Sequence, residues 1–159
     1  MPKFNFRLQG YLNLKSKMED RRRQEYGQAV SGLEHERGML KALETQRAEA
    51  INAFRELLSG GINPLSAGSY NNFLNKLKES IKAQTGRVRR AEAEVERRRA
   101  ALAEAMKERK MLETLKDKHY ADYLYEQNLA EQKAADEIVS FRRGSMKIGH
   151  GSKENKYGG

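Results

Sequence analysis

From residue 69 to about residue 142 the apolar positions recur in alternating steps of three and four. The series runs Leu74, Leu77, Ile81, Gln84, Val88, Ala91, Val95, Arg98, Leu102, Ala105, Arg109, Leu112, Lys116, His119 and Tyr123. Steps that average about three and a half residues mark the seam of a left-handed coiled coil, because a straight globular helix drifts away from a seven-residue repeat. Gly86 is the only glycine between Ser69 and Phe141, and no proline interrupts the run. The pattern predicts one helix over about 69–142, roughly 110 Å long at about 1.5 Å per residue. So narrow an apolar stripe cannot close a core by itself, so the helix needs a partner.

The partner lies earlier in the chain. Phe4, Phe6, Leu8, Tyr11, Leu12 and Leu14 open a dense apolar start. The pattern thins over 15–25, where Met18 is the clear apolar seam residue, and resumes as Tyr26, Ala29, Leu33, Glu36, Leu40, Leu43, Arg47, Ala50, Phe54 and Leu57. This predicts a first helix over about 3–58, softened by Gly27, Gly32 and Gly38 at about 1 kcal/mol of propensity each. The segment 59–68 breaks both patterns: Gly60-Gly61 can end a helix through a left-handed residue, Pro64 blocks continuation, and Ser69 can cap the second helix.

The expected fold is therefore all-α, an antiparallel two-stranded coiled-coil hairpin. Folding the seams back about the loop pairs residues whose numbers add to about 127, which sets Phe54 against Phe73, Leu40 against Val88, and Leu8 against His119. Helix 2 then outruns helix 1, leaving about 124–141 without an intrachain partner. From Gly144 the sequence turns Gly-rich and basic without periodicity, and residues 144–159 are expected to be a disordered tail.

Composition narrows the functional classes. The 159 residues carry a formal charge of +9, and charged residues make up 33%. No run approaches the ~20 apolar residues of a membrane span, and no signal-peptide hydrophobic region is present, so the expected compartment is the cytoplasm, without membrane insertion. There is no cysteine, hence no disulfide or thiol chemistry. Charge is unevenly placed: residues 1–30 hold seven bases and three acids, 86–110 nine and five, and 111–141 three and seven. The clusters Arg21-Arg22-Arg23 and Arg97-Arg98-Arg99 suit either a solvated surface laced with glutamate or a basic band that meets an acidic partner. A basic-zipper DNA binder is disfavoured, because Glu92, Glu94, Glu96 and Glu104 interleave the arginines. There is no phosphate loop, and His35, His119 and His150 share no metal-ligand spacing. The carboxylates have no cleft that would shift their pKa, so no enzyme, cofactor or metal is expected.

Two places are candidates for docking. Phe73, Leu77, Ser80 and Gln84 form a second stripe beside the seam, wider than a two-stranded interface requires. It either covers Ile62 and Leu65 or meets another protein. The unpartnered end exposes Tyr123, Leu124, Leu129, Ile138 and Phe141.

Three stretches resemble the FliJ family of flagellar export proteins. They are Phe4-x-Phe6-x-Leu8-x-x-x-Leu12 with Glu19 beyond it; Gly61-Ile62 followed by Tyr70-x-x-Phe73-Leu74-x-x-Leu77-x-x-x-Ile81; and Glu131-Gln132-Lys133-x-x-Asp136-Glu137. The resemblance covers about 3–142. It implies a non-enzymatic coiled coil similar to the γ stalk of rotary ATP synthases, seated in the hexameric ring of the flagellar export ATPase. It further implies contact with the cytoplasmic domain of the membrane export gate, binding of export chaperones, and a peripheral location at the cytoplasmic face of the plasma membrane. The implied gate contact maps onto Phe73, Leu77, Ser80 and Gln84, of which Ser80 and Gln84 depart from the family's residue types. The implied ring end holds Phe4, Phe6, Leu8, Gln132, Lys133, Asp136 and Glu137. The rival readings are a holdase-type chaperone and the equivalent stalk of a virulence type III secretion system.

Overall fold

The computed structural model describes residues 2–61 and 63–150. Two helices account for nearly all of them: α1, Gln9–Ser59, of 51 residues, and α2, Pro64–His150, of 87. No strand occurs among the described residues. The chain falls into two compact units, one of Tyr11–Arg109 and one of Met1–Gly10 with Lys110–Gly159.

In the unit Tyr11–Arg109 the helices run antiparallel and bury a heptad seam. On α1 the buried residues are Leu12, Glu19, Leu33 and Ala50; on α2 they are Leu77, Gln84, Val88 and Ala105. Leu12, Glu19 and Leu33 fall on one seven-residue ladder, and Leu77, Gln84 and Ala105 on another, so each returns to the same helix face. The pairing is fixed by Phe54 stacked on Tyr70 (5.5 Å), Arg37 on Glu92 (3.2 Å), Arg98 on Glu25 (3.1 Å) and Lys15 on Glu108 (2.7 Å). These pairs add to about 123–129, close to the expected 127. Phe54 meets Tyr70 rather than Phe73 because the link is shorter than expected.

That link is Gly60–Asn63, and both ends have a local cause. Ser59 turns its hydroxyl back to the carbonyls of Arg55 and Glu56, and the Gly60 N–H bonds the Glu56 carbonyl at 3.2 Å. Gly61 then takes φ +78°, the left-handed value that glycine adopts without a Cβ penalty. Asn63 caps α2: its side-chain oxygen accepts the Leu65 N–H at 3.2 Å and its carbonyl accepts the Ala67 N–H at 3.0 Å. Pro64 occupies the first helical position, where its missing N–H costs nothing. The expected cap, Ser69, lies inside α2 with its hydroxyl bonded to the Leu65 carbonyl.

In the other unit the lead is not helical through residue 6 and turns at 7–8, so α1 begins at Gln9 rather than at about residue 3. The Phe6 carbonyl accepts the Gln9 N–H at 3.0 Å. Phe4 and Phe6 both reach α2, whereas a helix would turn residues two apart to different sides. α2 continues to His150, past the end expected at 142, because the single Gly144 is followed by Met146, Lys147 and Ile148, which all tolerate a helix. The expected disordered tail thus overlaps α2 at 144–150, and its remainder, 151–159, lies outside the described residues, as does Ile62.

Candidate docking surfaces

Near the link, the stripe of four residues divides. Phe73 is 43% exposed and Ser80 is exposed, whereas Leu77 and Gln84 are 6% and 4% exposed and face α1. Leu77 and Gln84 are seven residues apart on the seam itself, so their burial follows from the heptad. The Gln84 amide donates to the Glu36 carbonyl at 3.0 Å and also to the Glu36 carboxylate. A polar side chain at such a position fixes the register of two helices at some cost in stability. Leu65, which the stripe was expected to cover or leave to a partner, is 81% exposed. What remains open here is Phe73 and Ser80, with Tyr70 half-buried on Phe54.

The second candidate combines the lead with the end of α2. Phe4 lies 5.1 Å from the Tyr120 ring and 5.5 Å from Tyr123, and Phe6 is buried edge-on against His119 at 5.7 Å. The Tyr123 hydroxyl donates to the Pro2 carbonyl, and Leu8 is exposed. His119, expected on the seam opposite Leu8, is exposed and meets Phe6, because the non-helical lead shifts the pairing. From Asn128 to Ile148 every described residue of α2 is exposed. Gln132, Lys133, Asp136 and Glu137 all lie in this stretch, together with Leu129, Ile138, Val139 and Phe141, the last at 78% exposure.

A polar layer crosses the seam of the unit Tyr11–Arg109. Glu19 is buried and accepts hydrogen bonds from Arg23 at 2.9 Å and from Arg109. Burial pushes its pKa up, but the bonds from Arg109 and Arg23 outweigh this and hold the carboxyl below the usual glutamate range. The hydrogen bond from Arg22 lowers Glu25 in the same sense. The hydrogen bond to Glu108 raises Lys15. The thin stretch 15–25 thus hides a seam position held by Glu19, while Met18 is 37% exposed. The signal was present as Leu12 plus seven, but it is invisible to a count of apolar residues. The arginine clusters are satisfied inside the chain. Arg21 and Arg22 meet Glu25, Arg97 and Arg98 meet Glu94, and Arg99 meets Glu96. Among the described residues no group of histidine, aspartate and glutamate could hold a metal, and no helix is long and apolar enough to cross a membrane.

The sequence matches the family described as flagellar FliJ protein over residues 4–145. The chain belongs to the FliJ family. The match spans both helices, the link and the lead, and FliJ membership makes the chain a helical component of a type III export apparatus, a role that is not enzymatic in this family. Among solved structures the chain is similar to that of a putative YscO homolog from Chlamydia trachomatis. They share 21% identity and a TM-score of 0.68, over 92% of this chain and 99% of the other. At that identity the likeness concerns the fold alone. No curated protein sequence matches the chain.

Proposed function

We propose that this FliJ-family chain is a stalk-like coupler of flagellar export, joining the export ATPase ring to the cytoplasmic domain of the membrane export gate. The observation that carries this reading is the end of α2, where Asn128 to Ile148 are exposed on a continuous helix. Helical backbone already formed binds a partner without the entropy of folding onto it. Exposed Leu129, Ile138, Val139 and Phe141 supply apolar area for that partner. Gln132, Lys133, Asp136 and Glu137 supply polar contacts around it. The ATPase ring is the partner assigned to this end, with the Phe4 and Phe6 lead bracing the helix beside it. The gate is assigned to the region near the link, where Phe73 and Ser80 make the contact while Leu77 and Gln84 hold the helix that presents them. Export chaperones, assembly of the flagellum and a peripheral position at the plasma membrane follow from the same role.

The test is truncation before residue 124 with purified export ATPase. The shortened chain should keep its paired helices by circular dichroism and lose stimulation of ATP hydrolysis. Full stimulation by the truncated chain would refute the placement of the ring. A holdase would instead suppress aggregation of unfolded clients with no effect on ATPase turnover. The virulence-type stalk is separated by which system's ATPase the chain stimulates.

A further inference from the structure

Two basic clusters of this chain are neutralised by its own glutamates, and a third is not. Lys82, Arg87 and Arg90 are exposed on α2, and among the described residues none of them forms an ion pair. Counted from the buried Leu77 and Gln84, Lys82 and Arg90 lie on the face away from α1 and Arg87 on its flank. Between them lie Ala83 and Gly86, whose lack of bulk leaves an open groove of about 520 Å³, lined also by Glu79. A Cβ built on Gly86 would meet nothing within 4 Å, so no intrachain neighbour occupies the space above it.

We infer that the groove over Ala83 and Gly86, flanked by Lys82, Arg87 and Arg90, is a docking site for an acidic helical segment of a second protein. Small residues at a crossing point let two helix backbones approach closely, and flanking cations then reach carboxylates on the visiting helix. Charge complementarity selects the partner: three unneutralised cations in three turns favour a segment rich in glutamate or aspartate. An anionic bilayer is the poorer fit, because the groove has no large apolar side chain to enter the interface. Duplex nucleic acid is also the poorer fit, because phosphate contacts use the cations alone and draw nothing from the small residues between them. This inference is independent of the stalk reading, since neither Phe73 nor the end of α2 takes part.

The probe is a ~20-residue alanine-based peptide with glutamates on one face, long enough to be helical. Binding to the full chain is read by fluorescence anisotropy at low and high salt, with duplex DNA and phosphatidylglycerol vesicles as competitors. The combined substitution Lys82→Glu, Arg87→Glu and Arg90→Glu should weaken binding at least about tenfold. The decisive variant is Gly86→Leu, which leaves every charge in place and fills the groove. It should weaken binding about tenfold, while its melting temperature stays level or rises because leucine is the better helix former. Unchanged affinity of Gly86→Leu would overturn the groove, and unchanged affinity of the charge-reversed chain would overturn the electrostatic half. Tighter binding of DNA or vesicles than of the peptide would overturn the assignment of the partner.

Discussion

The helix α2 has two very different stretches. Between Leu77 and Ala105 it buries Leu77, Gln84, Val88 and Ala105, and Glu92 and Arg98 pair with Arg37 and Glu25 of α1. Between Asn128 and Ile148 it keeps comparable apolar content, in Leu129, Ile138, Val139, Phe141, Met146 and Ile148, with every described residue exposed. Backbone conformation is the same in both, so the difference lies entirely in what the side chains touch. In the first stretch apolar residues contribute to folding. In the second they contribute nothing to it and are available for binding.

The strongest way to break this comparison is a matched pair of truncations to alanine. Leu77→Ala removes a buried side chain from a two-helix seam and should cost about 2–4 kcal/mol in urea unfolding. Phe141→Ala removes a larger side chain and should change stability by less than about 0.5 kcal/mol. Equal costs at the two positions would mean that the end of α2 is packed after all. Because Leu77 is buried and Phe141 is exposed, the pair also separates folding from function. Phe141→Ala should impair ATPase stimulation with little loss of stability, and Leu77→Ala should impair it only through unfolding.

The same contrast explains what could be read from the sequence. The three-four alternation placed the helices, their antiparallel order and the seam, because period is a property of spacing and survives polar substitutions such as Gln84. Where a residue type can serve two roles, spacing left the choice open. Phe4-x-Phe6 reads as the start of a helix, yet the chain is not helical before Gln9. Asn63-Pro64 reads as a stop, yet the same dipeptide is a cap followed by a favoured first helical residue. Gly144 reads as a terminator, yet one glycine costs only about 1 kcal/mol in an otherwise helical run. The docking stripe failed in part for a geometric reason. Phe73, Leu77, Ser80 and Gln84 are spaced by four, three and four, which is the spacing of the seam itself, so two of the four went to the core. Glu19 escapes a count of apolar residues although it stands seven after Leu12 on the seam, and the arginine that holds it there, Arg109, is ninety residues away.

A smaller effect sharpens the comparison at the link, where α1 ends and α2 begins. Gly61 holds φ +78°, and a Cβ there is strained by about 1–2 kcal/mol. Gly61→Ala should therefore lower stability by roughly 1 kcal/mol, although the added methyl would meet nothing within 4 Å. Gly144→Ala, in the exposed stretch and equally free of neighbours, should do the reverse and raise local helicity. If both substitutions proved stabilising, the left-handed turn at Gly61 would not be what reverses the chain.

The smallest effect is the dependence on pH. Glu19 and Glu25 both belong to the paired unit, and both carboxyls are held below the usual glutamate range in the folded chain. For Glu19, burial opposes ionisation and the bonds from Arg109 and Arg23 more than compensate; for Glu25 the bond from Arg22 leads. A carboxyl whose folded pKa lies below its unfolded value binds more protons unfolded than folded. Its contribution is then fully present above the unfolded value, near about 4.3, and is lost as pH falls through the lower folded value. Stability of the full chain should accordingly drop between about pH 5 and pH 3. Glu19→Gln should flatten part of that drop, because glutamine cannot ionise and leaves Arg109 and Arg23 facing a neutral amide. It should also lower stability at neutral pH, since both arginines lose a carboxylate. Truncation before residue 124 should leave the acid slope in place, because Glu19, Glu25 and their arginines all lie within Tyr11–Arg109. A slope that disappeared with the truncation would place the titrating groups at the exposed end of α2, and the division of labour between its two stretches would fail.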